Sequence, residues 1–339
     1  MRGVVFLGGR QAEVRDYPDP MAGPGEVVVQ LRAGGLCGSD LHLYRQSVEE
    51  RAGNETIPGH EPSGVVQAVG PGVTHVQVGD RVSVYHYRGC GHCPQCLGGN
   101  LMWCAERRGY GGPIHGSDAD YILTDARNCC PLPDELSFAV GAMMACNAGT
   151  AFSSISKLRL SGADTVAIFG QGPVGLAGTL FAKAMGAHVV VVEPVALRRD
   201  LALSLGADAA IDPAQDDAVA AIKELTHGEG AHAAYETSGS APGQNGAVES
   251  LRLGGRAVFV GIGSQDKTLN PMQIIGKQAT LMGSFVLPLP MYWEMLRFVL
   301  DHQVPLEAII THRFPIERAP EAFTLFDSGA TGKVVFEWA

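Results

Sequence analysis

At 339 residues, with 46% hydrophobic and 18% charged side chains, the chain is long enough for two globular domains, because single cores rarely grow much beyond ~250 residues. A formal net charge of −10 excludes a broad nucleic-acid surface, since phosphate would be repelled. No run approaches the ~18 consecutive apolar residues of a membrane span, and the apolar run near the N-terminus is too short for a secretory leader, so a cytoplasmic protein is expected.

The first ~145 residues read as β-rich. The runs "EVVVQLRA" (26–33), "SGVVQAVG" (63–70) and "GDRVSVYHY" (79–87) are β-branched and bounded by Gly or Pro. From residue 164 apolar strand candidates alternate with helical patterns: "TVAIFG", "HVVVVE", "DAAID", "AHAAYET", "RAVFVG" and "ATLMGSF". The segments "PVGLAGTLFAKAMG" and "VALRRDLALSLG" supply helices between them. Six short strands in this grammar predict an α/β, doubly wound parallel sheet. The pattern breaks at "LPLP"; the helix candidate "MYWEMLRFVLDHQ" and the strand-like "KVVFEW" follow.

In "FGQGPVG", Gly170, Gly172 and Gly175 have the G-x-G-x-x-G spacing, with Pro173 and Val174 between the last two. The motif is weak alone, but here it follows a predicted strand and opens a predicted helix. The first glycine permits the tight turn, the second a close approach of pyrophosphate, and the third close helix packing. Free N–H groups at the helix start then face the phosphates. Glu193, at the end of the next strand, is placed to bind the adenosine ribose hydroxyls and to repel a 2′-phosphate, which favours NAD over NADP. Arg198 is counted among the cofactor-binding residues. Both Arg198 and Arg199 stand within reach of a phosphate, which tempers that preference.

Four of the eight cysteines, Cys90, Cys93, Cys96 and Cys104, fall in "CGHCPQCLGGNLMWC". In a reducing compartment such a cluster favours a metal over disulfides. Two-residue gaps aim successive sulfurs at one centre and Cys104 closes the tetrahedron, so a structural zinc with no open position is expected. A redox C-x-x-C would start a helix beside a βαβ unit, and the Gly- and Pro-containing loop does not read that way. His92 is a bystander, since four thiolates fill the shell. Cys129 and Cys130 read as small core residues.

Taken together, "CGSDLH", "PGHEPSGVV", the four-cysteine lobe, "GDRV", "ACNAGTAF" and "FGQGPVG" stand in an order that resembles the zinc-dependent medium-chain dehydrogenase/reductase family, the alcohol dehydrogenase superfamily. The likeness runs over essentially the full length. It implies a Rossmann NAD-binding domain (148–286) and a β-rich GroES-like catalytic domain (1–147 and 287–339) with a zinc lobe at 88–106. On the resemblance, Cys37, His60 and Cys146 hold a catalytic zinc, and Glu61 is its neighbour or a transient fourth ligand. Ser39 contacts the reacting oxygen, Asp40 orients the metal site, and His42 ends a proton relay. The bland alternative for Ser39 is a turn hydroxyl capping "SDLHLY" as a short helix. Two Zn²⁺ per chain and NAD(H) are the implied cofactors.

The implied reaction is reversible oxidation of an alcohol to an aldehyde or ketone. Cys at position 146 sits nearer the alcohol dehydrogenase pattern than the Glu or Asp common in polyol and threonine dehydrogenases, which remain the alternative. The resemblance lines the substrate pocket with 106–112, including Tyr110, and with 285–290. It also implies a homo-oligomer, dimer or tetramer, joined through the edge of the nucleotide sheet. A short-chain dehydrogenase is excluded because none of the eight tyrosines has lysine four residues later. Zinc-free reductases lack the cysteine sets. A nucleotide-binding sensor without chemistry would not need Ser39, His42 and every zinc ligand.

Overall fold

The computed structural model describes residues 1–263 and 269–338. A hairpin, β1 (Arg2–Gly8) and β2 (Gln11–Asp16), precedes β3 (Glu26–Gly35), β4 (Glu61–Val69) and β5 (Arg81–Val84). The short pair β6 (Tyr87–Arg88) and β7 (Arg108–Gly109) brackets the cysteine lobe, and β8 (Tyr121–Asp125) and β9 (Cys129–Pro131) follow. Near the C-terminus β16 (Ile310–Phe314) and β17 (Lys333–Glu337) return to this unit. The seven-stranded sheet runs β16-β17-β3-β4-β5-β9, with β8 also paired to β3. Apolar residues of β3, β4, β5 and β8 close on one core that includes Val27, Val29, Leu31, Val66, Val82 and Ile122.

The alternating region forms a second sheet from β10 (Thr165–Phe169), β11 (His188–Val192), β12 (Ala209–Ile211), β13 (Ala231–Glu236), β14 (Leu251–Phe259) and β15 (Thr280–Gly283). All its pairs are parallel, in the order β12-β11-β10-β13-β14-β15. This is the doubly wound arrangement expected from the sequence, with its order reversing between β10 and β13. The strands "TVAIF" and "HVVVV" are nearly unbroken apolar runs because helices cover both faces. The helix Met291–Asp301 buries Tyr292, Met295, Leu296 and Val299 on one stripe and leaves Trp293 exposed.

A continuous helical run, Phe138–Leu158, joins the two sheets and contains a π turn at Met144–Ala148. It is apolar and long enough to cross a membrane by composition, but 94% of its most apolar window is buried within the chain. Met143, Met144, Ala151 and Phe152 pack with Leu176, Phe181 and Tyr292 in the largest core cluster. The run spans the boundary expected between residues 147 and 148.

Candidate active site and metal centres

The register of β3 on β4 sets the first centre. Gly35 pairs with Glu61, so the residues just outside the sheet, Cys37 and His60, leave the same edge together. The π turn brings in Cys146 from the opposite side. Wide turns of this kind gather at functional positions because they re-aim a side chain without ending the helix. As a result, ligand atoms of Cys37, His60, Glu61 and Cys146 all lie within 4.8 Å of one another.

Asp40 ties this set down. Its Oδ2 accepts from the Cys37 backbone N–H at 2.8 Å, and its Oδ1 lies 3.0 Å from His60 Nδ1. A carboxylate on Nδ1 fixes the tautomer and leaves Nε2 as the donor to a metal. Ser39 immediately precedes the helix Asp40–Tyr44, yet its side chain makes no capping bond. Its Oγ sits 3.4 Å from Cys37 Sγ and 3.4 Å from His60 Nε2. The capping alternative for Ser39 therefore fails. His42 is exposed, three residues further on the same helix face.

The thiols are unequal. A hydrogen bond from Cys146, opposed by burial and aided by His60, holds Cys37 well below the usual thiol range. The same bond, with burial, pushes Cys146 well up. Burial lowers the His60 imidazole, but the charges of Asp40 and Cys37 outweigh it and hold it well above its ordinary value. A soft donor set of two sulfurs and one imidazole, with a carboxylate behind it, matches zinc in an open site. Metal entry would displace the proton that Cys146 retains.

Behind Glu61 lies a partner the sequence did not announce. Lys333, at the start of β17, donates to the Glu61 carboxylate and, at 2.8 Å, to the Leu36 carbonyl; both side chains are 0% exposed. A Cβ on Gly35 would meet Glu61 Oε2 at 2.4 Å, so the absence of a side chain there makes room for the pair. Burial pushes the Glu61 carboxyl up to about 7, with Lys333 opposing it.

In the lobe, ligand atoms of Cys90, Cys93, Cys96 and Cys104 likewise lie within 4.8 Å of one another. Cys90 Sγ and Cys96 Sγ are 3.9 Å apart. Four thiolates at about 2.3 Å from one zinc stand roughly 3.8 Å apart, whereas a disulfide needs about 2.05 Å. Backbone N–H groups of His92 and Cys93 bring the Cys90 thiol down to about 6. One expectation needs correction: Cys93 does precede a helical turn, Pro94–Leu97, because proline is favoured in a first turn. Convergence of all four sulfurs, rather than the absence of a helix, is what separates this lobe from a redox pair. His92 is exposed, with Nδ1 against the Cys90 carbonyl.

At the dinucleotide loop Gly170 has φ +93, outside the range most side chains adopt. A Cβ on Gly175 would lie 2.1 Å from the Gly170 carbonyl oxygen, while one on Gly172 would meet nothing within 4 Å. The space over Gly172, at the N-terminus of the helix Pro173–Ala184, is thus a cradle that a side chain would fill. Glu193 is buried and both its oxygens accept backbone N–H groups, from Gln171 at 2.6 Å and Val195 at 2.9 Å. Arg199 is occupied by the Glu193 carbonyl and by Asp212 at 2.9 Å. Arg198 reaches across to the Thr331 carbonyl at 2.8 Å. Asn147, next to Cys146, donates to the Pro173 carbonyl at 3.3 Å and links the two sites.

Gly172→Ala should leave the melting temperature unchanged and weaken NAD binding by at least about tenfold. Gly175→Ala should lower the melting temperature as well. Thermal denaturation beside a binding titration separates the two.

The expectation that Tyr110 lines a substrate wall is not met. Phe285 is 41% exposed with its ring 6.2 Å from that of Tyr87. Tyr110 instead points into the sheet core and bonds Thr124 Oγ1 at 2.6 Å, which removes it from any pocket. His86 and Tyr87, just before the cysteine lobe, stand beside the metal-ligand cluster: the His86 ring centroid lies 5.8 Å from that of His60 and 4.5 Å from that of Tyr87. Burial, then the charge of His60, pushes the His86 imidazole down to about 3.

Comparison with known proteins agrees with this geometry. Residues 23–134 match the alcohol dehydrogenase GroES-like domain, and residues 173–301 match the zinc-binding dehydrogenase family. The chain is 34% identical to the uncharacterized zinc-type alcohol dehydrogenase-like protein YphC of Escherichia coli, over 100% of this chain and 99% of that one. It is 32% identical to L-threonine 3-dehydrogenase of Yersinia pestis, over 95% of each chain. The solved structure of alcohol dehydrogenase TADH from Thermus sp. ATN1 superposes with a TM-score of 0.92 at 29% identity, covering 99% of both chains.

Proposed function

Because the chain belongs to the zinc-type medium-chain dehydrogenase/reductase family, we propose that it oxidises a primary or secondary alcohol to an aldehyde or ketone, with NAD as acceptor. The reading rests on one observation: Cys37, His60, Glu61 and Cys146 converge beside Ser39, and Asn147, next to Cys146, bonds the Pro173 carbonyl in the glycine loop. In balanced form an alcohol and NAD⁺ give a carbonyl compound, NADH and a proton. Residues 1–147 and 287–339 form the catalytic unit in this reading, and 148–286 the nucleotide unit. A reducing compartment suits the eight free thiols.

Cys37, His60 and Cys146 would hold a zinc, which would supply Lewis acidity toward an alcohol hydroxyl, and the glycine loop would hold NAD as the hydride acceptor. The rest falls to the chain. Asp40 keeps the Nδ1 proton of His60 in place, so Nε2 faces inward. Ser39 Oγ, beside that nitrogen, would accept the hydroxyl proton, and His42, exposed on the helix that Ser39 precedes, would be the end of the relay that releases it to solvent. Glu61, backed by Lys333, supplies negative charge behind the ligands. Cys90, Cys93, Cys96 and Cys104 would hold the second, structural zinc.

On the cofactor side, Gly170, Gly172, Pro173, Val174 and Gly175 receive the pyrophosphate, while Glu193 and Arg198 address the adenosine ribose. With Arg199 already engaged and Glu193 fixed beneath the loop, a 2′-phosphate meets a buried carboxylate, which supports NAD over NADP. Glu193→Ala should raise the Michaelis constant for NAD by about tenfold and that for the alcohol much less. A change confined to the alcohol constant refutes the ribose role. The direct test of the whole reading is NADH formation with a panel of alcohols, abolished by a chelator and restored by zinc.

A further inference from the structure

The mouth of the cysteine lobe carries a second set of donors that a four-thiolate centre does not use. The Cys90 sulfur, a ring nitrogen of His92 and a carboxylate oxygen of Glu106 lie within 4.8 Å of one another. Cys90 therefore belongs to two clusters, the closed one with Cys93, Cys96 and Cys104 and this open one. The two differ in access. Cys104 is 1% exposed, and Leu101 and Met102 just before it are buried. Cys96 has backbone packed on its sulfur, since a Cβ on Gly89 would stand 2.5 Å from it. His92 and Glu106 are exposed, so water reaches Cys90 on their side. Neither side chain is committed elsewhere. Among the described residues His92 makes one hydrogen-bond contact, Nδ1 with the Cys90 carbonyl oxygen at 3.2 Å, which holds the ring against the residue whose sulfur is shared. Glu106 makes no hydrogen bond or ion pair among the described residues, although Arg107 and Arg108 follow it.

We propose that Cys90, His92 and Glu106 form a capture site for a divalent zinc ion, which loads the lobe by exchange of ligands at the shared sulfur. One thiolate, one imidazole and one carboxylate make a donor set that zinc accepts, and three donors facing water leave a position for an incoming ligand. An ion held there keeps Cys90 while the thiolates of Cys93, Cys96 and Cys104 replace His92, Glu106 and water. Each thiol that binds gives its proton to solvent, and no electron moves. Four sulfurs hold zinc more tightly than one, so the ion passes inward. In the loaded protein a second zinc arriving at His92 and Glu106 competes for the Cys90 sulfur and loosens the resident ion, so the same residues speed exchange. The inference rests on the reading of the lobe as a zinc centre and adds the route by which it fills.

The test follows exchange of an enriched zinc isotope into the zinc-loaded, full-length protein, read by mass spectrometry of the metal after desalting. Wild type is compared with the double variant His92→Ala/Glu106→Ala. The lobe's exchange phase is the one that Cys146→Ser retains. In wild type its rate should rise with free zinc. In the double variant it should be at least about tenfold slower and independent of free zinc, with zinc content and melting temperature unchanged. Glu106→Asp, which keeps the carboxylate, should recover part of the rate. Side chains that merely covered the lobe would give the opposite sign, because trimming them opens the sulfurs to water and speeds exchange. Faster or unchanged exchange overturns the inference, and so does a double variant that loses the lobe zinc at equilibrium, since the pair would then belong to the resident shell. A Cys146→Ser protein that holds no zinc at all is a different result: it sinks the zinc-centre reading of the lobe, and the capture site with it.

Discussion

Replacing Cys146 with serine should abolish turnover and lower the zinc content from two to about one per chain. The π turn at Met144–Ala148 carries this side chain, and its hydrogen bond to Cys37 is what holds the Cys37 thiol well below the usual range. An open site has three protein ligands and no spare, so exchanging a sulfur for a weaker hydroxyl donor removes a third of its grip on the metal. The lobe shares none of these ligands and should keep its own ion. Metal analysis of the purified variant beside an activity assay decides the point. Full activity with both zincs retained would refute the ligand assignment.

Lys333→Met should produce the largest loss of stability of any single change considered, about 3–5 kcal/mol, and lower the melting temperature by roughly 10 °C. The cost comes less from a lost attraction than from the carboxylate left behind. Glu61 has no exposed surface and Gly35 is packed against it, so water cannot easily replace Nζ. The double variant Glu61→Leu/Lys333→Met removes both charges and should regain much of the loss, which a cycle of thermal or urea unfolding measures. The effect should also depend on pH. Glu61 is raised in the folded state from 4.5 to about 7, so folding favours its protonated form; its contribution to stability is greatest below pH 4.5 and declines as pH rises toward 7. Without Lys333 that decline steepens, so the variant should look nearly normal in acid and worst above neutrality.

These cases mark what could be read from residues alone. The glycine loop and the cysteine lobe were legible because their parts lie within a few residues, and the local chain carries both spacing and context. The six parallel strands were legible for a similar reason, as buried apolar runs between helical periods. Cys37, His60 and Cys146 came only through resemblance, since nothing local says that three loops share a point. Lys333 stands 272 residues from Glu61, and only the antiparallel register of β17 on β3 brings it there. Tyr110 went the other way: its loop reads as exposed and polar, but its ring is taken by the sheet core and Thr124. His86 sits in a strand-like run whose alternation says only that it changes face, not that it turns toward the metal ligands.

The consecutive residues Cys146 and Asn147 serve two masters. One sulfur belongs to the cluster of candidate metal ligands, and the neighbouring amide donates to the Pro173 carbonyl at the start of the helix after the glycine loop. The turn that presents them is buried throughout. A substitution that shifts it would disturb the metal-ligand cluster and the support of the glycine loop together, because adjacent residues of one chain segment are committed to both.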